Sequence, residues 1–341
     1  MMGEPRPRVG IIANPASGKD IRRLVAYATT VDNQGKINIV RRALVGLAAS
    51  GIRKVLYMPD THGICARARE GLSYLSTDLP DIAPLDMPTS GRAEDSTRAA
   101  ELLRSFAVGC IIVLGGDGTV RAVAKGCGDV PLLAVSTGTN NVLPSFIEGT
   151  IAGLAAGYVA TGLVERDEVM LRHKWLEVSV RNQPVDQALV DVAVLSGQFL
   201  GARAIWDLAD LKQVIVTRAD PSTIGISAIA GMVRSIAPDE PLGLVLDIDP
   251  NATECVMAAY GPGLIGRVGV RVARVLMVGD AVTLPPERPL MLALDGEREQ
   301  VLNQKDEGYI ALRADGPWLV DASRVMQLAA RKRAPCMPGI A

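Results

Sequence analysis

The sequence predicts an α/β domain built on a parallel sheet, followed by an all-β sandwich. Three observations carry that expectation. From residue 9 to residue 161, short apolar runs alternate with stretches of helical period, five times over, the pattern of a parallel sheet wrapped by helices. The apolar runs are continuous, CIIVL at 110–114 for example, as in strands buried on both faces. Near residue 170 the character changes to short strand-like runs separated by frequent turn signals, which suggests antiparallel sheets packed as a sandwich. The expected division is 1–165 for the α/β domain and 166–319 for the sandwich. Residues 320–341 carry a last helix that packs back on the first domain.

In the first domain the predicted strands are Val9–Ala13, Val55–Met58, Ile82–Met87, Ile111–Leu114 and Leu132–Val135. The helices between and after them are Asn38–Ser50, closed by Gly51, then Ile64–Leu75, Ala93–Phe106, one starting at Gly118–Lys125, and Thr150–Thr161. In the second domain, strands are expected at Trp175–Val180, Ala188–Leu195, Val214–Thr217, Leu242–Ile248, Cys255–Tyr260, Val268–Val278, Ala281–Leu284, Leu290–Leu294 and Tyr309–Arg313. Ala204–Leu211 and Ser227–Ser235 read as short helices inside it, and Val320–Arg331 as the closing helix with basic residues at its end.

Composition narrows the chemistry. The chain has 341 residues, 36 Lys and Arg against 37 Asp and Glu, and a formal net charge of −1. That balance gives no electrostatic footprint for coating nucleic acid, and 4% aromatic residues leave little for base-stacking platforms. Only His62 and His173 are present, so a three-histidine metal site is excluded and a Ser-His-Asp triad has few ways to form. The five cysteines, Cys65, Cys110, Cys127, Cys255 and Cys336, form no CxxC pair and read as reduced thiols of a cytoplasmic protein. No secretory h-region and no membrane-length apolar stretch is visible.

In a parallel sheet, ligands bind beyond the carboxyl ends of the strands, and four polar turns fall there. Gly115-Gly116-Asp117-Gly118-Thr119 follows the fourth strand. Its glycines permit positive φ and close backbone approach, and the helix after it offers N–H groups to an anion. A carboxylate in such a turn would repel phosphate unless it holds metal or takes a proton, although Asp-Gly is also an ordinary turn signal. Asn14-Pro15-Ala16-Ser17-Gly18-Lys19 follows the first strand. It fails the P-loop pattern, because Ala13 and Asp20 stand where that motif needs Gly and Ser or Thr. Thr89-Ser90-Gly91-Arg92 follows the third strand and Ser136-Thr137-Gly138-Thr139-Asn140-Asn141 the fifth. Together the four turns would line one sheet edge with donors suited to a nucleotide.

An NPxSGK turn, a TxxGRA-like turn, GGDGT and a GTxN turn, in that order, with Leu294-Asp295-Gly296-Glu297 late in the chain, resemble the superfamily of NAD kinases, diacylglycerol kinases and sphingosine kinases. VSTGTNNVLP at 135–144, GARAIWD at 201–207 and GISAIAG at 225–231 resemble its AcoX branch, associated with acetoin catabolism. The resemblance implies ATP-dependent phosphorylation of a small hydroxy acid such as 3-hydroxypropionate, with ATP and Mg²⁺. NAD⁺ 2′-phosphorylation is the alternative, and the Asn-x-Gly-x-Leu-Gly-Phe and Asn-Glu features of NAD kinases are not recognisable. A lipid kinase and a nucleotide-binding regulator without turnover are further alternatives.

By the same resemblance, Asp117 would be the catalytic carboxylate. Asn14, Ser17, Thr89, Gly115, Gly116, Gly118, Thr119, Thr139 and Asn140 would bind the nucleotide. Asn141 and Arg203 would contact substrate, with Arg92 and Lys212 as further candidate cations. Asp295 and Glu297 would hold the metal, although Asp-Gly also marks a tight hairpin. The implied partners are a small-molecule substrate and a second copy in a homodimer, with neither nucleic acid nor membrane.

Overall fold

The computed structural model describes residues 7–17, 29, 31–72, 78–138, 141–197 and 208–332. In the first domain the strands are β1 (Arg8–Ala13), β2 (Lys54–Tyr57), β3 (Asp81–Pro84), β4 (Cys110–Gly115) and β5 (Leu132–Ser136), all parallel where they pair. Five helices alternate with them: α1 (Asn33–Ala49), α2 (Ile64–Glu70), α3 (Ala93–Ser105), α4 (Asp117–Cys127) and α5 (Gly149–Ala160). The strand order β3-β2-β1-β4-β5 reverses direction between β1 and β4, and that switch point opens a crevice at the strand ends.

Both faces of the sheet are covered, which is why its strands read as unbroken apolar runs. Ile112, Leu114, Val9 and Ile11 point into one core with α1, α2 and α5; Ile111, Val113 and Ile12 point into the other with α3 and α4. Helices α1 and α5 cross closely because Gly153 has no side chain: a Cβ there would lie 2.1 Å from the Ala43 carbonyl.

Three short elements next to this sheet were not separated from their surroundings by the sequence pattern. A short helix α6 (Arg166–Val169) leads into β6 (Met170–Arg172), and β18 (Trp318–Val320) inserts between β5 and β6. These complete the first sheet, so residues 170–172 pair with the strands of the first domain. The last helix, α8 (Ala322–Arg331), buries Val325 and Leu328 in the first core.

The second domain is antiparallel, as predicted. Its strands are β7 (Trp175–Val180), β8 (Gln183–Ala188), β9 (Asp191–Ser196), β10 (Leu211–Val216), β11 (Leu242–Ile248), β12 (Cys255–Gly261), β13 (Leu264–Met277), β14 (Ala281–Thr283), β15 (Leu290–Leu294), β16 (Glu297–Leu302) and β17 (Gly308–Arg313). One sheet runs β12-β13-β11-β10-β9-β15-β16 and the other β14-β17-β7-β8. Alternation assigns the faces: Val192, Val194, Leu290 and Leu292 meet the small sheet, whereas Ala193, Leu195, Met291 and Ala293 meet helix α7 (Ile226–Val233). The helix expected at Ala204–Leu211 lies mostly outside the described residues; Leu208–Asp210 form one 3₁₀ turn.

The domains share a core. Leu189, Val190 and Trp175 pack with α3, α4 and β4.

Candidate active site

The crevice between β1 and β4 is where the predicted residues meet. The backbone after β1 is tied to β4 by the Asn14 N–H, which donates to the Leu114 carbonyl at 3.1 Å. Asn14 Nδ2 donates to Thr119 Oγ1 at 3.0 Å, joining the first turn to the start of α4. Ser17 Oγ donates to the Asn14 carbonyl at 2.8 Å and lies 3.1 Å from Thr137 Oγ1 in the turn after β5. Three of the four turns therefore form one bonded rim. The fourth is built separately: the buried Asp95 carboxylate accepts from Ser90 N, Ser90 Oγ and Gly91 N. Thr89 and Arg92 of that turn are exposed and face Asn14, Pro15 and Asp60 across a cleft.

A residue that sequence reasoning did not single out supports the first turn. Lys36, on α1, is 1% exposed. Its Nζ donates to the carbonyls of Asn14 at 2.8 Å and Ser17 at 2.7 Å. Those bonds, with Ala16 N–H donating to Asn14 Oδ1 and Ser17 N–H to the Asn14 carbonyl, hold the turn in one shape at the crevice.

The glycines of GGDGT serve close approach, not the positive φ that the sequence suggested; none of the three is among the positive-φ residues. A Cβ on Gly115 would lie 2.5 Å from Thr119, one on Gly116 2.7 Å from Asn141 Oδ1, and one on Gly118 2.9 Å from Glu297 Oε1. Asp117 opens α4 and is buried. Its carboxylate accepts from Val142 N at 2.9 Å and Leu143 N at 2.8 Å, fixing the segment after β5 against the helix. Asn141 Nδ2 donates to Ser136 Oγ and the Gly138 carbonyl. Its amide nitrogen thus braces the turn. Thr139, Asn140 and Arg203 lie outside the described residues.

The second domain closes on α4 through charge. Asp117, Arg121 and Lys125 recur every fourth residue, one helical face. Arg121 lies 3.6 Å from Asp295, 3.7 Å from Asp186 and 3.8 Å from Glu297, and Lys125 lies 2.6 Å from Asp186. Asp295 and Gly296 both have positive φ, the tight two-residue hairpin between β15 and β16. The Asp295 carboxylate has no exposed surface and accepts from the N–H groups of Leu189, Val190 and Asp191. Burial pushes its carboxyl up while Arg121 and those donors favour the charged form. The oxygens of Asp295, expected to hold metal, are engaged here with those N–H groups and Arg121, joining the second domain to α4. Glu297 is part-exposed beside Gly118. Among the described residues no group of three metal-binding side chains forms.

The remaining titratable groups separate cleanly. His173 is buried at the junction, with Nε2 3.0 Å from the Leu189 carbonyl, and burial brings it down to about 3; it is a neutral structural group. His62 is on the surface next to Thr61. Burial pushes the Cys110 and Cys127 thiols up to about 12 and raises Cys65 further, which makes them inert. Arg218, which follows β10, was also missed. It is partly buried, its Nε has no hydrogen-bond partner, and it lies within electrostatic reach of Asp117. A charged residue directly after the apolar run VIVT was the available signal.

Comparison with known proteins agrees with this architecture. Residues 9–164 match the model of the ATP-NAD kinase N-terminal domain, and residues 174–315 that of the acetoin catabolism protein X C-terminal domain. The chain is 39% identical to acetoin catabolism protein X of Cupriavidus necator over 334 residues, covering 95% of this chain and 93% of that protein. The crystal structure of yeast NADH kinase complexed with NADH superposes with a TM-score of 0.52 at 15% identity, over 96% of this chain and 87% of that one; the two share a fold.

Proposed function

The chain belongs to the family of acetoin catabolism protein X, and from that premise we propose that it is an ATP-dependent kinase acting on the hydroxyl of a small hydroxy acid such as 3-hydroxypropionate. The observation that carries the reading is the position of Asp117. A buried carboxylate heads a helix at the switch point of a parallel sheet, inside a rim of phosphate-suited turns and beneath a second domain. The match of the first domain to the ATP-NAD kinase model supports ATP as the phosphoryl donor.

In this mechanism the phosphates of ATP lie along Gly115, Gly116, Gly118 and Thr119, at the positive end of α4. Asn14 and Ser17 bound the other side of the crevice, and Thr89 flanks it. Asp117 is held rigidly by the Val142 and Leu143 N–H groups and accepts the proton of the acceptor hydroxyl as that oxygen attacks phosphorus. Phosphoryl transfer asks mainly for positioning and charge stabilisation, so the near-absence of histidine is no obstacle. Glu297 and Asp117 are the carboxylates available to Mg²⁺, consistent with an ion held by one or two carboxylates and the substrate's phosphates. When bound, Mg²⁺ would neutralise charge on those phosphates.

A coupled assay of ADP release tests the proposal, with ATP, Mg²⁺ and, in parallel, short hydroxy acids, NAD⁺ and diacylglycerol. Turnover on a hydroxy acid that disappears in Asp117→Ala supports it. Turnover on NAD⁺ alone would move the chain to the alternative acceptor.

A further inference from the structure

Arg218 stands apart from the other cations of the crevice. Arg121 and Lys125 face the carboxylates of Asp186, Asp295 and Glu297 at ion-pair distance, and Lys36 is bonded to loop carbonyls. Arg218 has no ion pair among the described residues, and its Nε is buried without a hydrogen-bond partner. Asp117 and Asp220 are the carboxylates acting on it at longer range. Asp220 is turned onto its own loop, where its Oδ1 accepts from Ser222 N and Ser222 Oγ. The side chain is half-buried, with the guanidinium unpaired among the described residues, so its fork of donors is free to receive an anion.

The surroundings are built for that purpose. Thr217, the residue before, is fully buried and donates through N–H and Oγ1 to Val190 and Leu189. Ala219, the residue after, is buried in a backbone bridge with Ile236. The backbone at 218 is therefore fixed from both sides. Lys174 lies close enough to act on the same group and is held by the carbonyls of Ala237, Glu240 and Leu242. The corner carries two positive charges beside a neutral His173. It belongs to the second domain, whereas the phosphate-suited turns all belong to the first. The planar guanidinium matches a carboxylate by two parallel hydrogen bonds.

We propose that Arg218 anchors an anionic subsite for the acceptor, receiving the carboxylate of a short hydroxy acid so that the acid's hydroxyl lies at Asp117. This rests on the kinase reading above and names the residue that selects an acid over a neutral alcohol. The side chain acts by positioning, since it takes no part in the bond changes at phosphorus.

Calorimetric titration of the full chain separates this inference from the reading it rests on. Two titrants are used on wild type, Arg218→Gln and Arg218→Lys: ATP with Mg²⁺, and 3-hydroxypropionate with a non-hydrolysable ATP analogue present. Removing one partner of a desolvated charge pair predicts at least about thirtyfold weaker binding of the acid in Arg218→Gln, with ATP affinity changed less than about threefold. Arg218→Lys should recover part of the loss. Thermal melting without ligand should show the Gln variant about as stable as wild type, because no ion pair or side-chain hydrogen bond among the described residues is lost. Equal binding of the acid by wild type and Arg218→Gln overturns the inference alone. A loss confined to ATP assigns Arg218 to the nucleotide and also overturns it. Wild type that binds ATP but no hydroxy acid overturns the inference together with the proposed substrate class.

Discussion

At the scale of single residues, Asp117 has two roles that substitution can separate. Its carboxylate holds the Val142 and Leu143 N–H groups, and in the proposed mechanism it also takes a proton. Asparagine retains an acceptor oxygen for the backbone and loses the base. Asp117→Asn is therefore expected to melt near the wild-type temperature and to lose roughly 10²- to 10⁴-fold in kcat, the ordinary contribution of a positioned base. Asp117→Ala should lose both stability and activity. His173 gives a second prediction. Its folded value, about 3, lies below the usual 6.5, so the unfolded chain binds more protons between those limits. Stability is complete above about pH 6.5 and falls on acidification toward pH 3, by something on the order of 5 kcal/mol. His173→Gln should flatten that part of the stability–pH curve measured by urea unfolding. Residue identity in the rim turns was legible in sequence because Gly, Asn, Ser and Asp cluster after apolar runs. Arg218 and Lys36 were not, because an isolated cation in a sequence does not announce that it is buried; only packing decides that.

Among elements, helix α4 and the β15–β16 hairpin form the hinge of the account. The Asp295 carboxylate accepts three backbone N–H bonds and faces Arg121 at 3.6 Å. Asp295→Asn keeps the shape and removes the charge, which leaves Arg121 less compensated in a buried setting. A loss of roughly 3–5 kcal/mol is expected from denaturant unfolding, and retention of full stability would show the latch to be unimportant. Gly115→Ala would drive a Cβ to 2.5 Å from Thr119 and break the Asn14–Thr119 bond. It should lower both melting temperature and kcat/KM. Element types followed from the sequence almost throughout, since strands buried on both faces cannot alternate and helices must. The short β6 and β18 were missed because three residues carry no period, and the polar β8 and β16 because QPVDQA and EREQVL show no clear apolar alternation. Asp295 was read as a metal ligand for a related reason: Leu-Asp-Gly-Glu shows a carboxylate in a turn, while the N–H groups that occupy it come from residues about a hundred positions away.

Across the whole molecule, the chain crosses between domains and returns. Strand β18 lies between β5 and β6, and α8 seals the first core, so the carboxyl-terminal segment is internal to the amino-terminal domain. Leu189 and Val190 extend the shared core from the other side. The two domains should therefore unfold in one calorimetric transition, and a chain ending at residue 316 should not fold stably; two well-separated transitions would contradict this.

Phosphoryl transfer to an acid's hydroxyl at Asp117 is open to ³¹P NMR of the reaction mixture. With ATP, Mg²⁺ and 3-hydroxypropionate, wild type is predicted to produce a new phosphomonoester resonance that matches consumption of the γ-phosphate, and Asp117→Asn to produce none on the same timescale. The same resonance at an undiminished rate in Asp117→Asn, or phosphorylation of NAD⁺ with none of any hydroxy acid, would contradict the account.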